Sequence, residues 1–202
     1  MELENEELVL RMIEDDMDAM EELMKRTQKD IFRLAYLISG SYADSEDIVQ
    51  ETYVQVYIKR KTIRDPRAFK SWLIRMMTRI AWRYLKKMQR EQPAGENMEE
   101  WQKNMMEAGG NWTLEKGKVE SVAETVERNE EARELYGAIS RLPVKQRTAV
   151  ILYYFEGMST REIAEASGCL EGTVKSRLHG ARRRLKEELY GGRLPEERRI
   201  SV

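Results

Sequence analysis

Cysteine, histidine and proline are all scarce in this chain of 202 residues. One cysteine, Cys169, permits no internal disulfide, and one histidine, His179, leaves no set of soft metal ligands. With only 12 Gly and 4 Pro against 35% charged residues, a turn-rich sandwich or barrel is disfavoured and a mostly helical protein favoured. No apolar run approaches the roughly 18 residues that a transmembrane helix needs. The opening Met1-Glu2-Leu3-Glu4 is acidic and lacks the basic flank and apolar stretch of a signal peptide. These absences point to an intracellular protein without a structural metal. At 41% hydrophobic, the chain can bury a modest core in one or two domains, but it is too short for a large multi-domain enzyme.

The overall charge is nearly balanced, with 35 basic and 36 acidic residues, yet the signs are segregated along the chain. Met1 to Asp30 carries 11 acidic and 4 basic side chains. Lys59 to Arg90 carries 12 basic ones and a single acid, Asp65. Glu91 to Glu134 reverses the sign with 12 acidic and 5 basic, and Glu171 to Leu189 returns to 6 basic and 3 acidic. Two basic blocks divided by an acidic stretch suit two surfaces for a polyanion, with acidic segments that repel it or cover the cations. Ordinary solvated helix faces are the alternative.

Apolar residues recur at helical spacing through Leu8, Met12, Met20, Leu23 and Met24, then Ile31, Leu34, Ala35 and Ile38. Ser39-Gly40-Ser41 interrupts them, a second helix is expected from about Asp44 to Arg60, and Arg64-Asp65-Pro66 marks a loop. A last helix of this block runs from about Pro66 to Gln89. The stretch 91–127, with Pro93, Gly95, Gly109, Gly110 and Gly117, reads as a flexible linker, in which Met98, Trp101 and Met105 share one side of a short helix. Helices resume from Arg128 to Tyr190, and a polar tail follows at 191–202. The expected fold is all-α: a helical domain over 1–90 and a second over 128–190, joined by that linker.

Ser159-Thr160-Arg161-Glu162 is a capping box, in which hydroxyl and carboxylate satisfy each other's orphan amides. Ala164 permits a close helix crossing, Gly168 a left-handed turn, and Val174 packs a second helix back onto the first. Together they signal a helix–turn–helix over Ser159 to Leu178. Along the second helix Val174, Leu178, Ala181, Leu185 and Leu189 form one apolar stripe. Thr173, Ser176, His179, Gly180 and Arg183 lie opposite, flanked by Lys175, Arg177, Arg182 and Arg184, as suits a helix entering the major groove.

In the helix from Phe69, the residues Leu73, Met77, Ile80, Ala81, Tyr84 and Met88 form the apolar face. Trp72 instead shares a face with Arg75, Arg79, Arg83, Lys86 and Arg90, a stacking ring beside phosphate-binding charges. That pairing suits opened or single-stranded nucleic acid, where each stacked base contributes about 1–3 kcal/mol. A Trp72 that merely caps the core is the alternative. Upstream, Asp47, Gln50, Glu51, Val54 and Ile58 line one face of the Asp44 helix while Val49, Thr52, Tyr53 and Val56 turn to the core. Acids and an amide beside exposed aliphatics describe a protein-docking patch, and their acidity makes a poor DNA site.

The runs Asp44-Ser45-Glu46-Asp47-Ile48-Val49-Gln50-Glu51-Thr52-Tyr53, Phe69-Lys70-Ser71-Trp72-Leu73, Leu142-Pro143 and Gly172-Thr173-Val174-Lys175-Ser176-Arg177-Leu178-His179 strongly resemble the extracytoplasmic-function sigma factors of bacterial RNA polymerase. The resemblance implies that the first domain is like region two, which grips the polymerase clamp through Asp47, Gln50 and Glu51 and melts the minus-ten element. Lys61, Thr62, Arg64, Arg67, Trp72, Arg75, Arg79, Arg83 and Lys86 fall where such proteins handle the non-template strand. The second domain is like region four, reading the minus-thirty-five element through Thr173, Lys175, Ser176, Arg177, His179, Arg182 and Arg183. The linker is expected to thread the polymerase channel. Core polymerase, promoter DNA and an anti-sigma factor are the implied partners, the last able to recruit a cytoplasmic protein to the membrane. No cofactor, metal or small-molecule substrate is implied. Arg79 and Arg83 depart from a frequent Asn and Asp, Gly180 from a frequent Arg, and Leu170-Glu171 from a more usual Pro-Val.

Two other readings stand beside this one. A helix–turn–helix regulator acting without polymerase accounts for Ser159 to Leu189 but not for the docking face or the Trp72 stripe. An enzyme acting on nucleic acid lacks paired His/Cys ligands and a phosphate-cradling loop, since Gly168 to Thr173 has no lysine.

Overall fold

The computed structural model describes residues 5–91 and 130–191. The linker beyond Glu91, with the helix expected around Trp101, and the tail beyond Gly191 lie outside the described residues. The chain is all-α, with eight α-helices among the described residues. Helices α1 (Asn5–Ile13), α2 (Met17–Ser39), α3 (Tyr42–Lys59) and α4 (Phe69–Glu91) make the first domain. Helices α5 (Glu130–Ser140), α6 (Val144–Val150), α7 (Thr160–Ser167) and α8 (Glu171–Tyr190) make the second. No helix among the described residues is long and apolar enough to cross a membrane.

Each break in the helices has a local cause. Asp16 caps α2 by accepting from the Ala19 amide at 3.1 Å, directly after Asp15, which takes a left-handed φ of 72°. That α1–α2 break was not legible in the apolar period, which runs through it. Gly40 ends α2 at φ 81°, a conformation that a Cβ resists, and its amide reaches back to Tyr36 O at 2.8 Å. Ser41 then caps α3, which begins two residues before the expected Asp44. Before α4, Asp65 caps the 3-10 turn Pro66–Ala68, so the regular helix starts at Phe69 and not at the proline.

The first core joins Leu8 and Met12 of α1, Leu23, Leu34 and Ile38 of α2, Ile48 and Val56 of α3, and Leu73 and Met77 of α4, all nearly or fully inaccessible. Ser45 is also fully buried; its hydroxyl contacts Ser41 O at 2.5 Å and Ser39 Oγ at 2.9 Å, so α3 sits close on the end of α2 without an orphaned polar atom. In the second domain Ile151, Leu152, Ile163, Val174, Leu178 and Ala181 close the helix–turn–helix. Leu185 and Leu189, in the C-terminal half of α8, are only half-buried.

A π-turn at Ile151–Phe155 extends α6, with Glu156 N bonding Ile151 O at 3.3 Å. The capping box closes as its chemistry requires. Glu162 N donates to Ser159 Oγ at 3.2 Å, and Ser159 N donates to Glu162 Oε2 at 2.8 Å. The Ser159 hydroxyl, 2.7 Å from Glu162 Oε2, and after it the Ser159 amide hold the Glu162 carboxyl below the usual range. Gly168 at φ 59° makes the turn into α8. Ser159→Ala is expected to destabilise the second domain by about 1 kcal/mol, the usual cost of a lost N-cap, measured by urea unfolding followed by circular dichroism. Wild-type stability in that variant would show that the cap contributes nothing.

Candidate nucleic-acid and protein interfaces

The α3 face carries Val54 at 47% and Ile58 at 61% exposure, with Asp47 and Gln50 exposed and Glu51 half-buried beside them. Its acids are held by α4. The Tyr84 hydroxyl donates to Asp47 Oδ2 at 2.7 Å, and Arg83 Nη2 lies 3.2 Å from Glu51 Oε1. The Asp47 carboxylate pushes the Tyr84 phenol upward, with burial adding to the shift. Neighbouring Asp44 is also pushed up, mainly by burial. The acidic-apolar patch is therefore rigidly presented, and Tyr84, assigned to the apolar face from periodicity, is half-buried with its hydroxyl at the rim.

The loop after α3 is pinned to the α1–α2 turn. Asp15 accepts from Arg60 and, at 2.6 Å, from Lys61 Nζ. Those hydrogen bonds, Lys61 first, hold the Asp15 carboxyl below its usual value. Thr62 bonds the Lys59 carbonyl at 2.7 Å, Arg67 pairs with Asp65 at 3.0 Å, and Arg64 is exposed.

On α4, Trp72 is half-buried and stacks on Phe69 with ring centroids 6.2 Å apart, so the ring is part core cap and part surface. A groove of about 420 Å³ runs along this face between α3 and α4, lined by Lys59, Trp72, Arg75, Met76, Arg79 and Arg83 among others. Apolar side chains interleaved with guanidinium groups suit an unstacked base next to its phosphates. Lys86 is exposed further along. Arg75 and Arg79 are already engaged within the chain. Arg75 Nη1 lies 3.1 Å from Glu165 Oε2, and Arg79 donates to the Glu165 carbonyl at 3.0 Å and the Ala166 carbonyl at 3.4 Å, at the end of α7.

Helix α8 presents Lys175, Ser176, His179, Arg182 and Arg183 to solvent, with Thr173 half-buried. Arg182 bonds the Tyr154 hydroxyl at 2.8 Å and lies over that ring. Arg177 is turned inward instead: half-buried, 3.5 Å from Cys169 Sγ and 5.3 Å over the Trp82 ring of α4. Gly180 does not belong to the exposed face. It is half-buried, and a Cβ built there would lie 3.0 Å from Gln146 Nε2, because α6 crosses α8 at that point. Periodicity at a fixed angle overlooked the second neighbour of α8.

Sequence reasoning also missed Trp82, Arg147 and Glu156, which join the domains. Trp82 Nε1 donates to Thr148 Oγ1 at 3.0 Å. Arg147 is 7% exposed and donates to Ile38 O at 2.6 Å and Ser140 O at 2.7 Å. Burial lowers its pKa to about 10, which leaves it charged at neutral pH. The Glu156 side chain, 3% exposed, faces Arg33 at 3.2 Å and Lys70 at 3.4 Å. Local spacing gives no signal for these residues, since Arg147 sits among Lys145, Gln146 and Thr148 and Trp82 beside Arg83, and nothing in it names their partners.

The Sigma-70 region 2 model matches residues 23–91, and the Sigma-70, region 4 model matches residues 132–185. The chain is 32% identical over 184 residues to an ECF RNA polymerase sigma-E factor of Salmonella typhimurium strain LT2, covering 90% of this chain and 92% of that relative. It belongs to the extracytoplasmic-function sigma factors. A further relative is RNA polymerase sigma factor SigV of Bacillus subtilis strain 168, 29% identical over 162 residues that cover 80% of this chain and 86% of the other. Two solved structures share the fold. CnrH in complex with the cytosolic domain of CnrY aligns with TM-score 0.60 at 18% identity, covering 94% of this chain and 99% of that one. The sigma factor RpoE in complex with the anti-sigma factor NepR from Bartonella quintana aligns with TM-score 0.58 at 22% identity, covering 86% and 98%. The protein is thus an alternative sigma factor, and the free-standing regulator, the second reading, is not favoured; sigma factors are not enzymes in the catalytic sense.

The Asp15 clasp gives this sigma factor a pH-dependent element. Its depressed carboxyl contributes stability above the ordinary aspartate pKa of 3.8 and loses it as pH falls through the lower folded value. Asn tolerates the left-handed backbone at that position, so Asp15→Asn removes only the charge. Wild type is expected to melt above the variant at pH 6, with a smaller difference at a pH below 3.8. An equal difference at both pH values would show that the carboxylate charge is irrelevant.

Proposed function

We propose that this sigma factor uses its three faces for three separate tasks in promoter-specific initiation. The observation that carries the reading is the sorting of chemistry among helices: acidic and aliphatic on α3, cationic and aromatic on α4, cationic and hydroxylic on α8. Asp47, Gln50, Glu51, Val54 and Ile58 dock on a basic coiled coil of the polymerase clamp. The 60–67 loop with Trp72, Arg75, Arg79, Arg83 and Lys86 holds the opened non-template strand of the minus-ten element. A flipped base costs a few kcal/mol to extract from duplex, and stacking on Trp72 offsets a substantial part of that. Residues Thr173, Lys175, Ser176, Arg177, His179, Arg182 and Arg183 read the minus-thirty-five duplex, hydroxyl and imidazole at base edges and guanidinium groups at phosphates.

The sigma factor acts in the cytoplasm with core polymerase and promoter DNA, without metal, cofactor or small-molecule substrate, and an anti-sigma protein restrains it. A sigma factor of the same fold, RpoE, was solved with the anti-sigma factor NepR, and CnrH with the cytosolic domain of CnrY. Such a partner, where anchored, would recruit this protein to the membrane. Region two spans residues 1–90 and region four 128–190, and the 91–127 linker passes through the polymerase channel.

Run-off transcription on a library of promoter fragments with sigma-free core polymerase tests the whole reading: accurate starts are expected only when this protein is added. Charge reversal of Asp47 and Glu51 to Lys is expected to abolish capture of core polymerase while circular dichroism stays native; capture at the wild-type level would overturn the docking assignment. Trp72→Ala is expected to reduce promoter opening, read by permanganate reactivity, more than closed-complex binding. Unchanged opening would remove the stacking role. Arg183→Ala is expected to lower the salt slope of upstream duplex binding by about 1, the signature of one lost phosphate contact. A slope equal to wild type would place Arg183 away from the backbone.

A further inference from the structure

The α3–α4 groove contains one residue that neither phosphate binding nor stacking explains. Lys59, Arg75, Arg79 and Arg83 line it as cations that donate hydrogen bonds and accept none, and the Trp72 indole is likewise a donor only. Met76 and Ile80 supply apolar wall. Cations hold phosphates whatever the sequence, and an indole stacks on any base, so these side chains bind a single strand without choosing among its bases. Gln55 is the exception. Half-buried on α3, it brings to the lining the only side-chain oxygen among the described residues there.

The Gln55 amide has a fixed sense. Its Nε2 donates to Glu51 Oε1 at 3.2 Å, one helical turn back, and Arg83 Nη2 reaches the same oxygen at 3.2 Å from α4. A carboxylate only accepts, so the nitrogen end of the amide must face Glu51. Oε1 takes no hydrogen bond among the described residues, and one N–H of Nε2 is left beside it. An acceptor next to a donor complements a base edge on which an exocyclic amine adjoins an unprotonated ring nitrogen, as in cytosine and adenine. Uracil, thymine and guanine carry a carbonyl beside a ring N–H and need the amide reversed. Reversal sets Oε1 against the Glu51 carboxylate and gives up the bond between them.

We propose that Gln55 is a base-reading residue of this sigma factor, and that Glu51, by holding its amide nitrogen, makes the groove select an amino base over a keto base. This role rests on the assignment of the α4 face to the opened strand. Trp72 and the cations set how tightly a strand is held, and Gln55 sets which base occupies the groove. Glu51 is a positioning residue in this respect, because it touches Gln55 and not the base.

Fluorescence anisotropy with the full chain, at low ionic strength and without polymerase, compares 12-mers of deoxycytidylate and deoxyuridylate. The two pyrimidines match in ring size and charge and differ only along the amine or carbonyl edge. Deoxycytidylate is expected to bind about tenfold tighter, within the range that a well-placed amide–base pair confers. Gln55→Met keeps the chain length and loses the amide, and deoxycytidylate affinity is expected to fall to that of deoxyuridylate. Glu51→Gln lets the Gln55 amide take either sense and is expected to narrow the preference by strengthening deoxyuridylate binding. A Gln55 that merely packs would change both strands alike. Equal wild-type affinities, or a preference that survives Gln55→Met, would overturn the proposal. Trp72→Ala with Arg83→Ala separates that outcome from the site assignment. If this double variant loses both strands while wild type binds them equally, the α4 assignment stands and the Gln55 reading fails. If it binds both as wild type does, the α4 assignment fails and the proposal with it.

Discussion

A guanidinium group buried without a carboxylate is the constraint around which the two halves of this sigma factor are arranged. Arg147 is 7% exposed and charged, and its hydrogen bonds go to backbone carbonyls: Ser140 in its own domain, Ile38 and Ser39 at the end of α2 in the other. A desolvated cation needs concentrated negative potential, and the last turn of a 23-residue helix supplies it through unpaired carbonyls and the summed peptide dipoles. The end of α2 must therefore lie against α6. Once it does, α4 meets α7, and the remaining polar pairs have little freedom in where they form.

Arg79 does for α7 what Arg147 does for α2, a cation from one domain capping the carbonyl end of a helix in the other, and Arg75 pairs with the Glu165 carboxylate beside it. The exchange is reciprocal, so neither domain satisfies these groups alone. These polar contacts accompany a hydrophobic core that runs on through both halves, so the packing combines apolar burial with hydrogen bonds and charge.

The three faces differ in how firmly they are prepared. The α3 acids are held by Tyr84 and Arg83, so a partner meets a fixed pattern and loses little side-chain entropy on docking. The exposed cations of α8 carry surface partners: Arg182 bonds Tyr154, Lys175 faces Glu171 and Arg183 faces Glu187. On α4, Arg75 and Arg79 are held by oxygens of α7.

Much of this was legible in the residues. Helical periodicity, the Ser159–Glu162 capping box, the Gly40 and Gly168 turns and the charge segregation depend on neighbours within a few positions, where spacing and stereochemistry act directly. The same holds for the faces carrying Asp47 to Ile58, Trp72 to Lys86, and Lys175 to Arg183. What periodicity could not supply was a second neighbour. It placed Gly180 on the open face although α6 covers it, left Trp72 between a stacking face and a core cap although the ring serves as part of each, and passed over Trp82, Arg147 and Glu156. The sequence by itself determined which residues form each helix and which charges share a side. Only the tertiary structure decided which of those cations face solvent and which are spent on the other domain, because an ion pair or a capped carbonyl between residues about a hundred positions apart follows from how helices cross, and no local pattern encodes that crossing.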